Sequence, residues 1–119
     1  SHATLVEIGS TAFKTIQNNA DIVGLKNQTT LKKMCGLQFL KKTNHTFDVI
    51  FLDPPYTFEP LAYNTMLSTI KQRALLNKNG IIILEVEEHC LKNLNIDILA
   101  SFTLVKKKRL GNTMLLILA

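Results

Sequence analysis

The sequence predicts an α/β fold built on a mostly parallel sheet with an antiparallel end. Three observations carry that prediction. Apolar runs of strand length alternate with segments of helical period, the pattern of strands joined by crossover helices. The run from Phe47 to Asp53 is nearly all apolar, which fits a strand covered on both faces of a parallel sheet. The last two strand-like stretches follow one another with no helix between them, which predicts a terminal hairpin.

Element by element, Thr4-Leu5-Val6-Glu7-Ile8 is short, β-branched and apolar, hence a strand. Ser10 can cap a following helix in which Phe13, Ile16, Ala20 and Val23 share a face, and Gly24 ends it. Thr29 to Met34 reads as a weaker strand, and Leu37 to Lys42 as a short helix. After the strand at Phe47, Pro60 suits a first helical turn, and Tyr63, Met66, Leu67, Ile70 and Ala74 keep helical spacing. Asn77 to Gly80 reads as a stop, and Ile81 to Val86 as a second buried strand. Leu99 to Val105 and Met114 to Leu118 read as strands joined through Lys106 to Asn112. No repeat, low-complexity tract or linker divides residues 1–119, so a single domain is expected.

Composition narrows the function classes. A chain of 119 residues can bury a core without metal or disulfide staples. No apolar run reaches membrane-spanning length, and the C-terminal MLLILA is better read as a buried strand. Cys35 and Cys90 lie far apart with no CxxC pairing, and nothing resembles a cleavable signal peptide. A reduced, cytoplasmic protein is therefore expected. The formal charge of +5 allows an anionic partner such as nucleic acid. Lys106, Lys107, Lys108 and Arg109 form the strongest cationic run, read either as a solvated turn or as a phosphate contact that positions RNA. Glu85, Glu87 and His89 would share a strand face, but carboxylates at strand ends are common and no metal is expected there.

The chemistry concentrates in FDVIFLDPPY, Phe47 to Tyr56. Ligands of α/β sheets bind beyond the carboxyl ends of the strands, where this stretch places Asp53. A residue before proline stays extended, and Pro54 and Pro55 fix two φ angles while removing two N–H donors. What remains is a stiff corner offering acceptors, with Tyr56 as an aromatic face. Such a corner suits the exocyclic amine of a nucleobase, whose lone pair is delocalised into the ring. Two fixed acceptors hold its N–H bonds and favour return of the lone pair to nitrogen. Stacking fixes the base plane and is worth roughly 1–3 kcal/mol per base. The plain alternative is a strand-terminating turn.

Asp53-Pro54-Pro55-Tyr56 resembles the (Asp/Asn)-Pro-Pro-(Tyr/Phe) motif of S-adenosylmethionine-dependent amino-methyltransferases. The order of LVEIG, a helix, FDVIFLDPPY, a helix, GIIILEVEEH and a basic-Gly-x-Thr turn at Arg109 to Thr113 is similar to the bacterial 16S ribosomal RNA guanine-N2 methyltransferases over almost the whole chain. The resemblance implies a Rossmann-like class I methyltransferase sheet, S-adenosylmethionine as cofactor, and ribosomal RNA or the small subunit as partner. It implies that Asp53 and the Pro54 carbonyl accept the amine's hydrogen bonds. Tyr56 would stack on a flipped or single-stranded guanine beside Pro55. Glu7 matches the acid that binds the cofactor's ribose hydroxyls, and Cys35 stands where the family usually has an acid near the adenine.

Two departures accompany the resemblance. The family's first strand and Gly-rich cofactor loop should precede LVEIG, yet the chain starts at Ser1-His2-Ala3 without a methionine. A thiol at Cys35 is also a weaker hydrogen-bonding partner than an acid. These features predict a fragment or processed product with the first strand missing. The expected result is an unpaired gap beside the strands of Glu7 and Asp53, or a rearranged sheet. They also predict that the parent protein methylates RNA while this chain alone does not. The alternatives are methylation of adenine N6 or cytosine N4 in DNA, and a non-catalytic remnant that binds RNA or a partner chain.

Overall fold

The computed structural model describes residues 1–53 and 60–119. They group into two compact units, Ser1–Thr43 and Asn44–Ala119, each taken by itself.

In the first unit, β1 (Ala3–Val6) and β2 (Thr29–Lys32) pair in parallel and are joined through α1 (Ser10–Ile22). The Glu7 N–H donates to the Lys32 carbonyl at 3.0 Å, carrying the ladder one residue past β1. Ser10 is not the cap. Gly9 takes the N-cap position in extended conformation, and Ser10 is the first helical residue. The Ser10 hydroxyl instead accepts from Lys33 Nζ at 2.7 Å. The end of α1 follows the expected glycine stop. Leu25 N–H reaches back to the Ala20 carbonyl at 3.0 Å, and Gly24 sits at φ +73°, a conformation that strains any residue with a Cβ. A short α2 (Gly36–Lys42) follows β2, which ends at Lys32 rather than Met34. Ala20 and Leu40 are buried here, while Ile8, Ile22 and Val23 remain exposed.

The second unit holds a mixed four-stranded sheet in the order β3 (Phe47–Leu52), β4 (Leu76–Glu87), β6 (Thr113–Leu118), β5 (Leu104–Leu110). β3 runs parallel to β4, and β6 is antiparallel to both of its neighbours, so the terminal hairpin is present. Helix α3 (Pro60–Gln72) lies between β3 and β4 in the chain, and α4 (Ile96–Ala100) precedes β5. Met66, Leu67 and Ile70 of α3 are buried, as are Ile82, Leu84 and Val86 of β4 and Met114, Leu116 and Leu118 of β6. Each such side chain removed from water is worth about 1.5–3 kcal/mol, and together they form this unit's core.

β3 is not covered on both faces: Ile50 and Leu52 are buried, but Val49 and Phe51 are each 55% exposed. Among the described residues β3 pairs only with β4, and β1 only with β2. Asn77 to Gly80 does not interrupt β4. The strand runs through it as an irregularity, with Phe47 opposite Leu76 and then Val49 opposite Ile81. Leu99 begins no strand, because Asn95 caps α4 by accepting the N–H groups of Asp97 and Ile98 at 2.8 and 3.1 Å. The cationic run lies within β5, leaving Gly111 and Asn112 as the turn. No described helix is long and apolar enough to cross a membrane.

Candidate functional site

Because β3 and β4 are parallel, both release their chains at the same edge of the sheet. Their register pairs Leu52 with Leu84, and one further step brings Asp53 alongside Glu85. Asp53 is exposed at that point, as the sequence predicted for a residue at the carboxyl end of the strand. Pro54, Pro55 and Tyr56 lie outside the described residues.

Tyr63 supplies what the sequence did not foresee. Its helical spacing marked it as a core residue, and it is buried. Yet its hydroxyl donates to the Glu85 carbonyl at 3.2 Å, tying α3 to the end of β4. Its pKa is pushed up to about 12, first by burial and then by the negative potential of Asp53, Cys90, Glu85 and Glu87. The hydroxyl therefore stays protonated at neutral pH, in a neighbourhood dense in acidic groups. Only its partner on another strand reveals this role.

Past Glu87 the chain turns into a short 3-10 helix, Glu88–Asn93. Glu85, Glu87 and His89 therefore do not line up along one strand face as alternation predicted. His89 Nδ1 instead lies 3.1 Å from Glu87 Oε2, and Cys90 joins them in place of Glu85. The hairpin turn is tied to the same edge, since the Glu88 N–H donates to the Asn112 carbonyl at 2.8 Å. Arg109 Nη2 pairs with Glu88 Oε2 at 2.9 Å, and its Nε donates to the Gly111 carbonyl at 3.1 Å.

The basic run is exposed along its whole length but does not form one patch. Lys107 and Arg109 stand opposite buried Leu116 and Met114 of β6, while Lys106 and Lys108 stand opposite Ile117 and Leu115. Successive residues of a strand point to opposite faces, so the charges divide between the two sides of the sheet.

In the first unit, Glu7 and Cys35 follow the ends of β1 and β2. Glu7 is half-buried, and its Oε1 accepts the Gly9 N–H at 2.9 Å, which fixes the carboxylate beside the start of α1. Cys35 is half-buried at the N-cap of α2, a helix start that the sequence did not place there. Both predicted residues thus stand at the carboxyl edge of their parallel pair.

A family model described as Conserved hypothetical protein 95 matches residues 1–119. The chain is 33% identical over 107 residues to Ribosomal RNA small subunit methyltransferase D of Buchnera aphidicola, covering 89% of this chain and 52% of that protein. It therefore spans about half the length of this curated relative. A conserved hypothetical protein of Streptococcus pyogenes superimposes with a TM-score of 0.84 at 26% identity, over 99% of this chain and 71% of the other. A provisionally assigned methylase of Haemophilus influenzae gives a TM-score of 0.79 at 28% identity, over 98% and 71%. These matches agree with the resemblance drawn from the DPPY motif and its surroundings.

Proposed function

Since the chain belongs to the Conserved hypothetical protein 95 family and has the α/β methyltransferase fold, we propose that the protein methylates ribosomal RNA. The target is the exocyclic N2 amine of a guanine in 16S RNA, with S-adenosylmethionine as methyl donor. The observation that carries this reading is Asp53, exposed at the carboxyl end of a parallel strand as the chain enters a proline pair.

In this reading the Asp53 carboxylate accepts one N–H of the amine and the Pro54 carbonyl accepts the other. Tyr56 stacks on the base beside Pro55 and holds its plane. Acceptors already in place need little reorganisation as positive charge develops on the nitrogen. Asp53 and the Pro54 carbonyl would hold the amine with its nitrogen lone pair directed away from the ring, and the proton given up on methylation would pass to solvent. Glu7 fits a cofactor ribose, because a carboxylate fixed at a strand end accepts from paired hydroxyls. Cys35 would stand near the adenine as a weak partner. When bound, the cofactor supplies the electrophilic methyl group. Lys106 and Lys108, which share a face of β5, are proposed to meet RNA phosphates, with Lys107 on the opposite face; Arg109, already paired with Glu88, holds the hairpin. A ribosomal substrate implies a cytoplasmic protein.

The test is transfer from tritiated S-adenosylmethionine by the full-length protein to 16S RNA, assembled small subunits and duplex DNA. Label should appear as N2-methylguanine, and Asp53→Ala should lower the rate by about 10²–10³-fold. Methylated adenine or cytosine in DNA would overturn the substrate, and an unchanged rate in the variant would overturn the role of Asp53.

A further inference from the structure

We propose that Glu87, His89 and Cys90 form a binding site for a thiophilic divalent cation, with Zn²⁺ the ion that their chemistry fits best. One carboxylate oxygen, one imidazole nitrogen and one sulfur lie within 4.8 Å of one another. This mixed donor set is the kind that zinc accepts. With zinc–ligand distances of about 2.0–2.3 Å, tetrahedral neighbours stand about 3.3–3.6 Å apart. The 3.1 Å between His89 Nδ1 and Glu87 Oε2 is already close to that spacing. The sulfur, also within 4.8 Å of both, needs at most a modest approach, within reach of a side-chain rotation.

The local backbone explains the convergence. On an extended strand, Cys90 would point away from the face of Glu87. The 3-10 helix that starts at Glu88 bends the chain and brings Cys90 back beside it. His89 is exposed and its two partners are half-buried, so an ion can enter from solvent. The ion displaces only a partly exposed His–Glu contact, of the kind that contributes little to stability.

The surroundings favour a cation. Asp53, Glu85 and Glu87 bear on Tyr63 at this edge, together with Cys90. Arg109 is committed to Glu88. Three protein ligands leave a fourth position open to water, and Cys90 must lose its proton on binding. The site does not depend on the proposed methyl transfer.

The metal-free chain is titrated with Co²⁺ as a spectroscopic substitute for zinc. A sulfur-to-cobalt charge-transfer band should grow to saturation at one equivalent and vanish when Zn²⁺ is added. Cys90→Ser should abolish the band, Cys35→Ser should retain it, and His89→Ala should weaken binding at least roughly tenfold. His89 is exposed, so its variant reports on ligation in an intact fold. Absence of the band in the parent chain, its survival in Cys90→Ser, or unchanged affinity in His89→Ala would overturn the site.

Discussion

Tyr63 and Asp53 illustrate two kinds of residue that differ in how openly a sequence displays them. Asp53 is legible because its neighbours in the chain determine its setting: an apolar strand before it and two prolines after it. The hydroxyl of Tyr63 depends on the carbonyl of Glu85, 22 residues away, and Cys90 meets Glu87 only because a 3-10 helix begins between them. No periodicity encodes either meeting. Tyr63 carries a prediction of its own. Its folded pKa of about 12 lies above the ordinary 10.0, so below pH 10 the phenol is protonated whether folded or unfolded. Between pH 10 and 12 the unfolded chain gives up the proton first, and stability falls as pH rises. Tyr63→Phe should cost about 0.5–1.5 kcal/mol at neutral pH through removal of the hydrogen bond. It should also flatten the alkaline decline. Denaturant midpoints of the two proteins, compared across that pH window, check both effects; parallel declines would exclude Tyr63 as their source.

The elements were mostly readable, and the exceptions share a cause. α1, α3, β3 and the hairpin follow from period, caps and turns within single segments. The cap of α4 was equally present in the sequence, as Asn95 with Asp97 in the first turn, but the apolar run after it resembled a strand. The irregularity of β4 is of another kind. Asn-Lys-Asn-Gly is locally a turn, and Asn79 does adopt a left-handed φ of 65°. What keeps it within the strand is β3: Asn77 Nδ2 donates to Asp48 Oδ1 at 2.9 Å, and Phe47 N–H donates to the Leu75 carbonyl at 2.8 Å. That closeness leaves Gly80 no room for a side chain. A Cβ there would lie 2.8 Å from the Asn77 carbonyl oxygen, 2.8 Å from Leu76 Cδ1 and 3.0 Å from the Asp48 carbonyl oxygen. Two of these neighbours are backbone and cannot swing aside. Gly80→Ala should therefore destabilise the protein by about 1–3 kcal/mol, as overpacking does. Equilibrium urea unfolding measures it, and a loss below a few tenths of a kcal/mol would contradict the crowding.

For the molecule as a whole, net charge was legible and its distribution was not. The excess of +5 is plain from composition, but the splitting of Lys106–Arg109 between two faces follows from the pairing of β5 with β6. If RNA phosphates meet one face, charge reversal at Lys106 and Lys108 together should differ from reversal at Lys107 alone. A double reversal on the RNA-facing side should lower the slope of log affinity against log salt by about 0.7 for each phosphate of single-stranded RNA that is no longer neutralised. Filter binding of the full-length protein across a salt series checks this, and equal slopes in every variant would remove the lysines from the interface. Among the described residues, finally, β5 borders the four-stranded sheet with a row of cations. Along β5 a second copy would be met by like charges, which is how natural sheets discourage unwanted neighbours. Lateral growth of the sheet past β5 is thereby opposed by the strand's own charge, and added salt should weaken that opposition.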